Sequence, residues 1–106
     1  ESKPEEKGLT LEIAFLEETW LQVYGDGQLK LEGIKKPGEK ALIQARQELL
    51  LHLGNAGGIA YRLNDKEGKP LGSSGAVLKN IRINLENYKN FLVGEKESLN
   101  NPRQLP

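Results

Sequence analysis

The chain has no cysteine, no methionine, one tryptophan and one histidine. Without cysteine there can be no thiol nucleophile, thiolate metal site or disulfide. That leaves the compartment open, since many secreted domains of this size lack disulfides. An excess of charge of one sign is missing too, because 15 basic residues balance 15 acidic ones over 106 positions. A net charge of zero supplies no field to steer nucleic acid or an anionic lipid surface, so nucleic acid is not expected as a partner. No apolar run exceeds a few residues, well short of a bilayer span.

What is present suits one small domain. Hydrophobic residues make up 37% of the chain, enough for a modest core and too many for a disordered polar chain. Residues 1–8 (Glu-Ser-Lys-Pro-Glu-Glu-Lys-Gly) are polar and charged, as in a linker. The chain is therefore expected to be a piece of a longer protein, with any membrane anchor upstream.

From Leu9 the pattern alternates, with Leu9, Leu11, Ile13 and Phe15 on one side and Thr10, Glu12 and Ala14 on the other. This is the period of a half-buried strand. Trp20 to Tyr24 is a second run rich in strand formers. Asp26-Gly27 after it is a hairpin signal, because both residues accept positive φ at low cost. On the returning strand Leu29 and Leu31 are expected on one face and Gln28, Lys30 and Glu32 on the other. Pro37-Gly38 marks the next turn.

Residues 40–53 are ambiguous. Their helix propensity is high and Gly54 would suit a helix C-terminus. A strand pair, Lys40–Ala45 and Glu48–Leu53, fits the neighbouring strands better, and composition alone does not choose. Alternation returns at Ile59, Tyr61 and Leu63. A turn cluster follows at Asn64 to Gly68, then a short edge piece at Lys69-Pro70-Leu71 and a flexible loop at Gly72-Ser73-Ser74-Gly75. A last strand is expected near Val77 to Leu85, with Val77, Ile81, Ile83 and Leu85 on one face. Tyr88, Phe91 and Leu92 are expected to form a helical turn docked on the body. The whole is an all-β, antiparallel β-sandwich of about seven short strands over residues 9–92, with a short, flexible C-terminal extension over 93–106.

Several features in order resemble a known family. They are Leu11 to Phe15, Trp20-Leu21-Gln22-Val23-Tyr24, Asp26-Gly27, Pro37-Gly38-Glu39, Leu51-His52-Leu53-Gly54-Asn55-Ala56, Asn64, and Gly68-Lys69-Pro70-Leu71. Their order resembles the C-terminal extracytoplasmic domain of the RodZ family of bacterial cell-shape proteins, over roughly Leu9 to Leu85. The resemblance implies an upstream cytoplasmic helix-turn-helix region and one membrane span. It also implies a role in coupling the actin-like cytoskeleton to wall synthesis, with partners in the wall-synthesis machinery, and strands in the disputed 40–53 segment. It names no catalytic residue and no cofactor.

The residues offer little chemistry of their own. His52 lies between two leucines without a sequence partner, as a structural histidine does. No Ser/His/Asp set can be built on it. Glu17-Glu18 and Glu95/Glu97 are expected to be solvated carboxylates. Gly54-Asn55-Ala56-Gly57-Gly58 and Gly68-Lys69-Pro70 are turns, because a phosphate loop needs Ser or Thr after the lysine at a helix start. No metal site, cofactor or catalytic set is expected. Binding claims rest on Trp20, Tyr24, Tyr61 and Arg62. Strict alternation projects Trp20 and Tyr24 from the sheet, where they would suit a protein interface or a sugar ring. A bulge after Thr19 would instead turn Trp20 inward as a core plug and leave Tyr24 at the rim. The plug is favoured, since the sole tryptophan of a small sandwich usually fills its core. An exposed platform would support a second reading, a carbohydrate- or peptidoglycan-binding sandwich.

Overall fold

The computed structural model describes residues 8–93. The expected linker (1–8) and tail (93–106) therefore lie outside the described residues, except for Gly8 and Val93. Eight strands are seen among the described residues: β1 (Leu9–Phe15), β2 (Thr19–Gly25), β3 (Gln28–Lys35), β4 (Lys40–Ala45), β5 (Glu48–Leu53), β6 (Ile59–Leu63), β7 (Lys66–Glu67) and β8 (Leu78–Asn84). They form two antiparallel four-stranded sheets, in the order β4-β1-β6-β7 and β3-β2-β5-β8. The all-β sandwich expected from the alternation is what the chain forms.

The core follows from period-2 patterning. Leu9, Leu11, Ile13 and Phe15 of β1, Ile43 and Ala45 of β4, and Ile59, Tyr61 and Leu63 of β6 face Leu21 and Val23 of β2, Leu49, Leu51 and Leu53 of β5, and Ile83 of β8. Each fully buried aliphatic side chain contributes about 1.5–3 kcal/mol. The disputed 40–53 segment forms two strands at the expected positions. As a pair it places Ile43 and Ala45 in one sheet's inner face and three leucines in the other's, and this burial outweighs helix propensity differences of a few tenths of a kcal/mol per residue.

The turns obey their residues. Asp26 and Gly27 both have positive φ, 52° and 83°, the two-residue hairpin geometry. Pro37 and Gly38 (φ 95°) form the 36–39 turn, closed by the Glu39 amide donating to the Lys36 carbonyl at 3.0 Å.

Four details differ from the alternation pattern. A bulge between Val23 and Tyr24 sets Leu29 opposite Tyr24 and Leu31 opposite Val23. Leu29 is therefore exposed while Leu31 packs on the core, so the two do not share a face. A second irregularity lies opposite Leu51–Leu53, where Asn80 has φ 62°. It brings Leu78 inward with Ile81 and Ile83 and leaves Val77, 61% exposed, out of that face, while Leu85, 44% exposed, lies beyond the end of β8. The edge piece falls at Lys66–Glu67 instead of 69–71, after a tight turn at Asn64 and Asp65, both with positive φ. The Gly72–Gly75 loop is held in place by bonds from Gly57 N–H to the Ser73 carbonyl and from Ala56 N–H to the Ala76 carbonyl. The 3-10 turn at Tyr88–Phe91 docks as expected, with Leu92 buried and Val93 N–H bonded to the Glu67 carbonyl at 2.9 Å.

One carboxylate ties the β2–β3 hairpin to the corner between β4 and β5. The Asp26 side chain accepts hydrogen bonds from the backbone amides of Arg46, Gln47 and Glu48 at 2.7, 2.8 and 3.1 Å. These residues are the corner at which the chain passes from one sheet to the other. The Arg46 and Gln47 amides, with smaller help from Glu48 and Lys30, hold the Asp26 carboxyl below the usual carboxylate range. Because the folded value is lowered, the stabilisation is present above the ordinary pKa of the free side chain and is lost as pH falls through the folded value. Asp26→Ala is expected to cost about 1 kcal/mol at neutral pH, the size of a lost helix cap discounted for solvent exposure. In guanidinium denaturation the gap between the two proteins should narrow as pH is lowered from about 6 to about 3; a constant gap would show that the charge plays no part.

Candidate interaction face

Alternation along β2 sends Leu21 and Val23 into the core and Trp20, Gln22 and Tyr24 to the outer face of the β3-β2-β5-β8 sheet. The bulge that could have turned Trp20 inward lies after Val23, too late to do so. Trp20 is 37% exposed, so it is not the core plug. Its register partner on β3 is Ile34, itself 57% exposed. On its other side is Gly54, whose amide donates to the Trp20 carbonyl at 2.8 Å. A Cβ at Gly54 would stand 3.6 Å from Trp20 Cε3, so the indole lies beside this glycine.

Further along the same face, half-buried Tyr24 lies between Leu29 of β3 and Leu50 of β5. The rings of Tyr24 and His52 meet edge-on with centroids 6.1 Å apart, a favoured aromatic geometry. His52 Nδ1 accepts the Asn80 amide at 3.1 Å. The histidine is thus a structural acceptor that braces the Asn80 irregularity. Gln22 donates to Glu32 at 2.9 Å between the two apolar ends. The result is a shallow band, Ile34 and Trp20 at one end and Leu29, Tyr24 and Leu50 at the other, with a polar middle.

Arg62 is elsewhere. It projects from the outer face of the β4-β1-β6-β7 sheet, opposite Glu12 and Glu67 in register. Its Nε is 3.9 Å from Glu12 Oε1, and its guanidinium donates to the Asp65 carbonyl at 2.9 Å. Trp20 and Tyr24 therefore share a surface that Arg62 does not, and the arginine is already engaged within its own chain. Tyr61 is buried and unavailable for binding. Its ring packs under Gly68, where a Cβ would fall 2.1 Å from ring atom Cε2, and its hydroxyl donates to the Phe91 carbonyl at 3.2 Å. Burial pushes its pKa up to about 12.

The remaining turn residues are structural. Asn55 donates to Glu17 Oε1 at 2.9 Å and accepts the Gly75 amide at 2.7 Å, and Ser74 donates to the same Glu17 oxygen at 2.8 Å. Hydrogen bonds from Asn55, then Ser74, lower the Glu17 pKa. The Gly-Asn-Ala-Gly-Gly stretch thereby joins three loops at one end of the sandwich. Gly57 has to be glycine there, since a Cβ would meet the Ser74 nitrogen at 2.2 Å. Among the described residues no cluster of three or more His, Asp or Glu could hold a metal.

Trp20→Ala is expected to change stability by no more than about 1 kcal/mol, whereas Leu21→Ala should cost about 2–5 kcal/mol by leaving a cavity. The tryptophan fluorescence should be readily quenched by acrylamide. A shielded indole, or a large loss with Trp20→Ala, would contradict the outward placement. Gly68→Ala should lose about 1–3 kcal/mol in the same unfolding assay, because the Tyr61 ring has to move.

The model of the RodZ C-terminal domain family matches residues 12–82, about two thirds of the chain. No curated protein matches and no solved structure matches. The match runs from the middle of β1 into β8 and takes in both β2 and the Gly-Asn-Ala-Gly-Gly loop junction. Its family is one of structural and interaction domains rather than enzymes. The chain belongs to the RodZ C-terminal domain family.

Proposed function

We propose that this domain is a non-catalytic interaction module on the extracytoplasmic face of a bacterial membrane. There it helps couple the actin-like cytoskeleton to wall synthesis through protein partners of the synthesis machinery. The family resemblance implies a membrane span elsewhere in the protein, and no helix among the described residues is long and apolar enough to cross a bilayer. The observation that carries the reading is the solvent-facing Ile34, Trp20, Leu29 and Tyr24 band in a member of this family. Exposed aromatics are the groups that supply much of the binding energy at protein interfaces.

In cells whose only copy is the full-length protein, Trp20→Asp with Ile34→Asp should lower cell aspect ratio toward spheres. Ala60→Asp on the opposite sheet should not. Protein level and the circular dichroism of the purified domain should be unchanged in each. Normal rods from the double variant would remove the band from the function.

A peptidoglycan- or carbohydrate-binding role is the second reading, favoured by the outward indole of Trp20, which can stack on a sugar ring. Titrating peptidoglycan fragments against Trp20 fluorescence separates the two. The protein-partner reading expects no shift at millimolar ligand, and a saturating shift lost in Trp20→Ala would favour the glycan.

A further inference from the structure

The two sheets do not close along the side formed by β3 and β4. Both are edge strands, consecutive in the chain and joined by the 36–39 turn. Between them lies an opening of about 520 Å³ lined by Leu31, Ala41, Leu42 and Ile43. Its other lining includes three lysines, Lys30, Lys35 and Lys40. The bulge in β3 explains why a lysine is there. It removes Lys30 from regular pairing and lays its stem against Gly25, so that a Cβ at Gly25 would stand 3.2 Å from Lys30 Cε and 3.3 Å from Ala45 Cβ. Lys35 pairs with buried Thr19 in the register and so lies on the inner face, at the other end of the opening. Between them Gly33 has φ 139° and no side chain, and a Cβ there would meet nothing within 4 Å. The edge is thus open, with Leu31, Ala41 and Ile43 flanked by Gln44 and the three lysines.

We propose that this edge cleft receives an extended segment of a protein partner whose side chains alternate between carboxylates and small aliphatics. Edge strands offer unpaired backbone groups for an added strand, and period-2 alternation sends every second side chain to the same side. Added along β4, the segment turns its aliphatics inward over Leu31, Ala41 and Ile43 and its carboxylates outward to Lys40, while Lys30 and Lys35 flank the inner side. The charge on the rim selects the occupant. Lys35 is 3.8 Å from exposed Glu39, Lys30 acts on the Asp26 carboxylate, and Lys40 makes no ion pair among the described residues. Weak solvent-exposed pairs of this kind yield readily to a bound carboxylate. Inward-pointing lysines on an edge strand also serve simply to block aggregation, and that role alone predicts no binding. The inference rests on the interaction-module reading but uses a different surface from the Trp20 band.

The test is a ¹H–¹⁵N correlation titration of the 106-residue chain with a capped peptide of alternating Glu and Val, alongside its Lys-for-Glu counterpart and dextran sulfate. The acidic peptide should shift amides in β3 and β4, and binding should weaken about tenfold in Lys30→Glu with Lys40→Glu and also on raising salt. Lys40→Glu alone, away from Asp26, should weaken it in the same direction with an unchanged unfolding midpoint. No shifts at millimolar peptide would overturn the proposal, as would equal binding of the basic peptide. Dextran sulfate binding as tightly as the peptide would show simple charge attraction and overturn it too. A silent titration alongside the rounded cells of the Trp20 and Ile34 variant would remove the cleft and leave the interaction-module reading in place.

Discussion

The passage from one sheet to the other turns at residues 45–48, and Asp26 braces that corner. There the chain leaves one sheet and enters the other, and the amides of Arg46, Gln47 and Glu48 all point at a single carboxylate. An irregular corner leaves backbone donors without sheet partners. A carboxylate supplied by the neighbouring hairpin satisfies three at once, and hydrogen bonds to an ionised acceptor are stronger than neutral ones. The same contact separates the two halves of a sequence that is helical by propensity. With its central amides held by Asp26, the 40–53 segment cannot make i to i−4 bonds across residues 46–48. Its leucines instead enter the core as a strand face.

The two candidate surfaces follow from register between β2 and β3. Strict pairing of β2 with β3 would send Leu29 and Leu31 the same way. The bulge at Val23 and Tyr24 instead keeps Leu31 in the core, adds Leu29 to the outer band and folds Lys30 over the open edge. One extra residue in one strand therefore shapes both the aromatic band and the lysine-rimmed cleft, and β3 belongs to both. Bulges commonly re-aim side chains in this way at sheet edges. The opposite sheet's outer face presents small Ala14 and Ala60, exposed Leu42, and an arginine already engaged by Glu12 and the Asp65 carbonyl.

Much of the fold was legible because period-2 alternation and turn chemistry are local. β1, the Asp26-Gly27 hairpin and the Pro37-Gly38 turn follow from neighbouring residues, whereas residues 40–53 are ambiguous by composition and their strand pair rests on the family resemblance. What the sequence hid is long-range. The bond from Asp26 to Arg46 spans 20 residues and the one from Glu17 to Ser74 spans 57. Nothing near either carboxylate signals its partner. The Asn80 irregularity escaped as well, since Val77, Ile81, Ile83 and Leu85 fit a strict alternation that one positive-φ asparagine breaks. For Trp20, plain alternation gave the right side, and the habit of placing a lone tryptophan in the core gave the wrong one. Tyr61 erred in the opposite sense, with a binding claim on a ring that fills the space under Gly68.

The central functional claim is that this family member meets its protein partners through the outer face of the β3-β2-β5-β8 sheet. Photo-crosslinking in living cells tests it most directly, with a benzophenone amino acid placed at Ile34 or, on the opposite sheet, at Ala60 of the full-length protein. The account predicts crosslinks from Ile34 to membrane proteins of wall synthesis and none from Ala60. Crosslinks confined to Ala60, or to glycan strands alone, would contradict it.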